Sequence, residues 1–234
     1  EIGPQQHDPS AGLRPAPSNE RTVRNIITTD MPRLLPILAA SLMAISAIAV
    51  PKKNYEIASP DGKLQVSINV NNGISYTLKH DGDLLLDDSK IAVTFTDGSA
   101  FDGVQNVKKA ETRSVSQVLE TEIYKKAQVK DEFNELTLKF KTFSLVFRAY
   151  DDGMAYRFVS HLKEPLNVDG EIAQFNFAKD WNMWAAYVCQ HTETLESQYY
   201  NSFENQYSYT PLSQWNKDRL AFLPLMVDGP KGKK

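Results

Sequence analysis

Residues 143–161 read Phe-Ser-Leu-Val-Phe-Arg-Ala-Tyr-Asp-Asp-Gly-Met-Ala-Tyr-Arg-Phe-Val-Ser-His. Two runs rich in aromatic and β-branched residues flank Asp151-Asp152-Gly153, the pattern of a β-hairpin. A two-residue loop at Asp152-Gly153 would set Arg148 against Arg157, and like charges directly opposite destabilise a strand pair. The expected register is therefore a three-residue loop with Gly153 left-handed, so that Tyr150 faces Met154, Arg148 faces Tyr156 and Val146 faces Phe158. Large apolar side chains on both faces of both runs place the hairpin inside a sheet that is covered on each side.

Working outward, the flanking sequence is strand and turn. Leu64, Val66, Ile68 and Val70 alternate with polar residues, and Ile74, Tyr76 and Leu78 do so again after Asn71-Asn72-Gly73. That period of two marks half-buried antiparallel strands. Asp61-Gly62, Asp81-Gly82 and Asp97-Gly98 punctuate the segment. Further strands are expected at 91–95, 115–124, 135–141, 143–150, 154–161, 171–177, 183–189 and 220–227. The charge-rich stretch 125–134 reads as a solvated strand end and loop. Frequent turns without an amphipathic helix give an all-β fold, a sandwich of antiparallel sheets. The last strand is followed by Asp228-Gly229-Pro230 and no return strand. The domain is therefore expected to be incomplete at its C-terminus, with an edge prone to association.

Upstream, residues 1–30 carry no usable periodicity and read as a disordered or non-native leader. Residues 31–49 read as a signal peptide: Arg33, an apolar run from Leu34, and Ala47-Ile48-Ala49 as a small-x-small cleavage site. The run is shorter than the ~20 residues of a spanning helix and contains Pro36, which argues against a membrane anchor. The domain is then 50–234, exported and periplasmic. A formal net charge of −3 over 234 residues gives no basic stripe, which excludes nucleic acid as a partner class. Cys189 is the single cysteine, so no internal disulfide can form, and its setting after Trp184-Ala185-Ala186-Tyr187-Val188 reads as a small buried hydrophobe.

The sequence has no Gly-rich phosphate loop, no paired-cysteine zinc pattern, no His-Glu-x-x-His and no nucleophile elbow. Asp87-Asp88 and Asp151-Asp152 read as turn residues that bond their own backbone rather than as an acid/base pair. His80, His161 and His191 are scattered, with His80 expected at an exposed hairpin. The richest chemistry lies in 193–209, where Glu193, Glu196 and Glu204 accompany Gln198, Asn201, Asn205, Gln206 and several tyrosines. Carboxylates and amides ligate hard cations such as calcium, and aromatics beside amides suit a sugar face. The plain alternative is a surface loop whose tyrosines cover a core edge.

Three segments in order, Ser59-Pro60-Asp61-Gly62-Lys63-Leu64, the hairpin Phe147-Arg148-Ala149-Tyr150-Asp151-Asp152-Gly153-Met154-Ala155-Tyr156-Arg157, and Phe203-Glu204-Asn205-Gln206-Tyr207 to Pro211-Leu212, resemble the N-terminal domain of glycoside hydrolase family 97. The similarity spans about 55–227. It implies an exported α-glycosidase acting on α-glucosides or α-galactosides, with a galactose-mutarotase-like β-super-sandwich ahead of a (β/α)8 barrel. The barrel would hold the catalytic acid and base, so none is expected in this segment, which alone should be inactive. The resemblance further implies that this domain packs on the barrel and donates one calcium ligand. The motif places that role on Glu204, with Glu196 as the fallback. The rival reading is a free-standing carbohydrate-binding or interaction module that uses the aromatics of 181–209.

Overall fold

The structure, a computed structural model, describes residues 53–189, 194–202 and 204–230. The expected leader and signal peptide lie outside these residues, as do His191 and Glu193. Strands β1 (Asn54–Ala58), β2 (Leu64–Asn69), β3 (Ser75–His80) and β4 (Asp83–Phe95) form a meander, and the short β5 (Ala100–Phe101) pairs with β4. A second meander follows: β6 (Lys109–Glu120), β7 (Gln128–Lys139), β8 (Phe143–Tyr150) and β9 (Gly153–Ser160). The chain then returns as β10 (Val168–Ala173) to pair with β4, completing a six-stranded sheet. A third sheet, in the order β12-β11-β13, is built from β11 (Asn182–Tyr187), β12 (Ser208–Pro211) and β13 (Ala221–Val227). Every strand pair is antiparallel, and the helical elements among the described residues are two short 3-10 turns. No helix among the described residues is long and apolar enough to cross a membrane.

The expected all-β sandwich is what forms, because alternation sorts each strand into an inner and an outer face. In β2, Leu64, Val66 and Ile68 are buried while Gln65, Ser67 and Asn69 are exposed. Their inner faces meet those of Leu136 and Leu138 on β7 and of Phe143, Leu145, Phe147 and Ala149 on β8. Phe147 is fully buried, with its ring 6.2 Å from Tyr76 and 5.8 Å from Tyr156. A smaller core of Met183, Ala185 and Tyr187, with Leu212, Leu225 and Val227 against it, underlies the third sheet.

The hairpin of 143–161 forms, but in a different register. Tyr150 pairs with Gly153, Arg148 with Ala155 and Val146 with Arg157, so the loop is the two residues Asp151-Asp152. Gly153 is not left-handed. Parity decides this: pairing Phe147 with Tyr156 and Leu145 with Phe158 keeps every core residue of both strands on one face, whereas the expected register is one residue off and mixes the faces. Arg148 is meanwhile drawn to its cross-strand partner Glu135 on β7 rather than toward Arg157. The expectation of cover on both sides holds for β8 and fails for β9, which among the described residues pairs with β8 alone and exposes Ala155, Arg157 and Val159.

Other expectations change too. Residues 128–134 are strand rather than loop, because β6 and β7 pair along their full length from Lys109↔Lys139 to Glu120↔Gln128. Polar cross-strand bonds hold this arm, with Ser114 Oγ donating to Asn134 Oδ1 at 2.6 Å and Gln117 Nε2 to Asp131 Oδ2 at 2.7 Å. Asp87 and Asp88 lie within β4, not in a turn. Tyr76 pairs with Ser89 and Leu78 with Leu86, so Thr77 is opposed by both aspartates in a bulge. Cys189 is exposed, since β11 ends at Tyr187 and the chain turns outward there. The strand at 220–227 is paired, along one edge, with β11.

Candidate functional site

The segment between β11 and β13 carries the candidate ligands, and its form follows from the third sheet. On β11 the odd positions Met183, Ala185 and Tyr187 point into the small core, which sends Trp184 outward. Trp184 pairs with Tyr209 on β12 and with Met226 on β13, so the three form a row across the solvent face. They are 39 %, 46 % and 48 % exposed, an apolar row that water does not favour. The Trp184 and Tyr209 rings lie 4.4 Å apart at 35°. Tyr209 Oη accepts from Asn182 Nδ2 at 3.2 Å and donates to Asp228 Oδ2 at 2.8 Å, which fixes the ring.

The loop from β11 to β12 is anchored at its middle by Gln198, which is 3 % exposed. Its Nε2 donates to the Asp218 carbonyl and its Oε1 accepts from Leu220 N, both at 2.8 Å. With both ends of the amide engaged, Gln198 is a clamp between the 3-10 turn Glu196–Tyr200 and the chain entering β13, and is removed from the candidate ligands. Cys189 N donates to the Ser202 carbonyl at 3.0 Å, closing the loop at its other end. Tyr199 and Tyr200 are 71 % and 89 % exposed. Beside the clamp, Val188, Leu220, Phe222 and Leu223 line an apolar cavity of about 290 Å³.

Of the expected ligands, Glu196 and Glu204 are both exposed. Glu204 has no hydrogen-bond or ion-pair partner among the described residues. Asn201 Oδ1 and Asn205 Oδ1 accept from the next residue's backbone N–H, at 2.8 Å each. No group of three or more His, Cys, Asp or Glu side chains suited to a metal ion occurs among the described residues. Calcium takes six to eight oxygens. Among the described residues, the loop thus offers single exposed carboxylates, Glu196 and Glu204, rather than a cluster of them. The sequence reading missed Asn182, Met226 and Asp228 as parts of this face. The i, i+2 spacing of Asn182 and Trp184 was the available signal. His161, outside this region, has its Nε2 2.9 Å from Ser144 Oγ.

A model of the family described as glycosyl-hydrolase 97 N-terminal matches residues 57–234. A retaining alpha-galactosidase from Bacteroides thetaiotaomicron is 34 % identical over 206 residues, which is 87 % of this chain and 31 % of that protein. A glycoside hydrolase family 97 enzyme from Pseudoalteromonas sp. strain K8, solved with panose, aligns with a TM-score of 0.60 at 19 % identity, covering 75 % of this chain and 27 % of that one. A beta-arabinopyranosidase aligns with a TM-score of 0.50 at 19 % identity, over 60 % of this chain and 23 % of that one. These two likenesses show the fold alone. The chain spans less than a third of the length of the relatives it matches.

Proposed function

The chain belongs to the glycosyl-hydrolase 97 family, as its N-terminal domain, and from that premise we propose that it completes the active site of an exported, periplasmic α-glycosidase. The row Tyr209-Trp184-Met226 and the adjoining loop pack on a (β/α)8 catalytic barrel, and Glu204 donates its carboxylate to a calcium ion shared with that barrel. The substrates are α-galactosides or α-glucosides, the former supported by the name of the Bacteroides thetaiotaomicron relative. The observation that carries this reading is an exposed Glu204, with no hydrogen-bond or ion-pair partner among the described residues, in the loop that leads into an exposed apolar sheet face. A carboxylate free of internal partners is available to a cation without first breaking an ion pair. Bound calcium would supply positive charge beside the reacting sugar.

The test is calcium calorimetry on this chain alone and mixed with a separately expressed family 97 barrel. Tight binding is expected only in the mixture, weakened about tenfold or more by Glu204→Gln, since one charged ligand contributes at least ~1.4 kcal/mol. Hydrolysis of p-nitrophenyl α-galactoside and α-glucoside should fall in parallel. Tight binding by the chain alone, or indifference to the substitution, would show that the ligand is not Glu204. The exposed, closely packed Trp184–Tyr209 ring pair favours one second reading, a free-standing sugar-binding module. Saturable oligosaccharide binding lost with Trp184→Ala would select it.

A further inference from the structure

At one end of the sandwich, the loop joining β2 to β3, the bulge of β4 and the loop after β5 surround a cavity of about 510 Å³. That volume is ample for a small molecule. The sequence reading met Asn71-Asn72-Gly73 and Asp88 only as turn residues. Its polar wall includes Asn72, Asp88, Lys90 and Asp102. The side chains of Asn72, Asp88 and Lys90 have no hydrogen-bond or ion-pair partner among the described residues. Asp102 spends Oδ1 on Val104 N at 3.0 Å, which leaves Oδ2. Two of the three non-glycine residues with positive φ among the described residues, Asn72 (63°) and Asp88 (35°), stand on this wall. Such backbone costs energy and persists where surrounding structure enforces it.

The composition of the wall selects the ligand. Two carboxylates disfavour an anion. A divalent cation would meet the Lys90 ammonium and finds no group of three suitable ligating side chains. Donors and acceptors in near balance instead match hydroxyl groups, each of which gives and takes a hydrogen bond. Buried Ile74 and Ile91 form an apolar floor, and exposed Val104 and Ile172 continue it at the rim, a surface suited to C–H groups. We propose that this cavity binds a neutral polyhydroxylated ligand, a pyranose unit, through Asn72, Asp88 and Lys90. The proposal rests on neither the calcium ligand nor the catalytic reading.

The experiment titrates the full 234-residue chain with D-galactose, D-glucose and maltose by ligand-observed NMR. Saturable binding is expected with a Kd on the order of 1 mM, the range of a few hydrogen bonds to a small polar ligand. The pair Asn72→Gly and Asp88→Asn, which keep residues tolerant of positive φ, should weaken it about tenfold. Lys90→Met should also weaken it, while Val118→Ala, at an exposed position of β6, leaves it unchanged. Unaltered circular dichroism would show that the variants fold. No saturable binding by any of the three sugars overturns the proposal. So does loss of binding with Trp184→Ala but not with the cavity variants, and so does competition by inorganic phosphate or calcium ions at the same residues.

Discussion

Gly103→Ala should lower the stability of the chain by about 3 kcal/mol, the sum of a left-handed backbone penalty and an overpacked core. Gly103 holds φ at +75°, and a Cβ built there would lie 2.3 Å from Ile74 Cγ1, 3.1 Å from its Cδ1 and 3.2 Å from Val70 Cγ1. Ile74 cannot yield easily. It is 2 % exposed, its carbonyl accepts the Ile91 N–H at 3.1 Å, and its β-branched side chain has few rotamers to move into. Gly62→Ala is the control, since Gly62 has nearly the same φ, +74°, and nothing within 4 Å of a Cβ. Its cost should be the backbone term alone, about 1 kcal/mol. Urea unfolding of both variants measures the difference. Equal losses would mean that Ile74 relaxes freely and the steric argument fails.

Glu135→Gln is the second large effect, about 2 kcal/mol at neutral pH. Glu135 is 6 % exposed on the outer face of the second sheet, between two arginines. Arg113 Nε donates to its Oε1 at 2.6 Å and Arg113 Nη2 to its Oε2 at 3.0 Å, while Arg148 Nε donates to Oε2 at 2.8 Å. Arg148 also lies 4.2 Å over the Phe133 ring, which holds it in place. The amide loses one acceptor and all of the charge. The Arg113 hydrogen bonds foremost, then that of Arg148, outweigh burial and bring the carboxyl down to about 2. Its folded pKa is thus below its unfolded one, near 4.3. The associated stability is present above about pH 4.3 and lost as pH falls toward 2. Wild type should accordingly lose more stability than Glu135→Gln between those values. Parallel acid profiles would rule out this carboxylate as a source of the loss.

What the sequence disclosed follows from where side chains face. Leu64, Val66 and Ile68 declare a strand because one face is wet and the other dry. The register of 143–161 was not legible from local charge, because Arg148 is satisfied by Glu135, a residue of a different hairpin. Residues 128–134 look like a loop in sequence, since Val129 and Phe133 stand four apart among charged residues and give no alternating period; only the pairing with β6 reveals the strand. The loop at 193–209 was visible as chemistry, yet Gln198 proved to be a buried clamp, and one amide looks like another until its partners are known. Asn72, Asp88 and Asp102 share no local motif. The β-meander alone brings them to one cavity.

The return of β10 to β4 also bears on how the chain acquires its structure in time. Within each meander, neighbouring strands are joined by short connections, and both can begin to form from local chain. Val168↔Phe95 and Ala173↔Ile91 instead join residues more than seventy positions apart, across the whole second meander. Closing so long a loop is entropically slow. During synthesis from the N-terminus, β4 must therefore wait with one edge open until β10 has been made. Pulse-labelled hydrogen exchange during refolding should show amides of β8 protected before those of β10. Simultaneous protection would place the long-range closure in the nucleus itself.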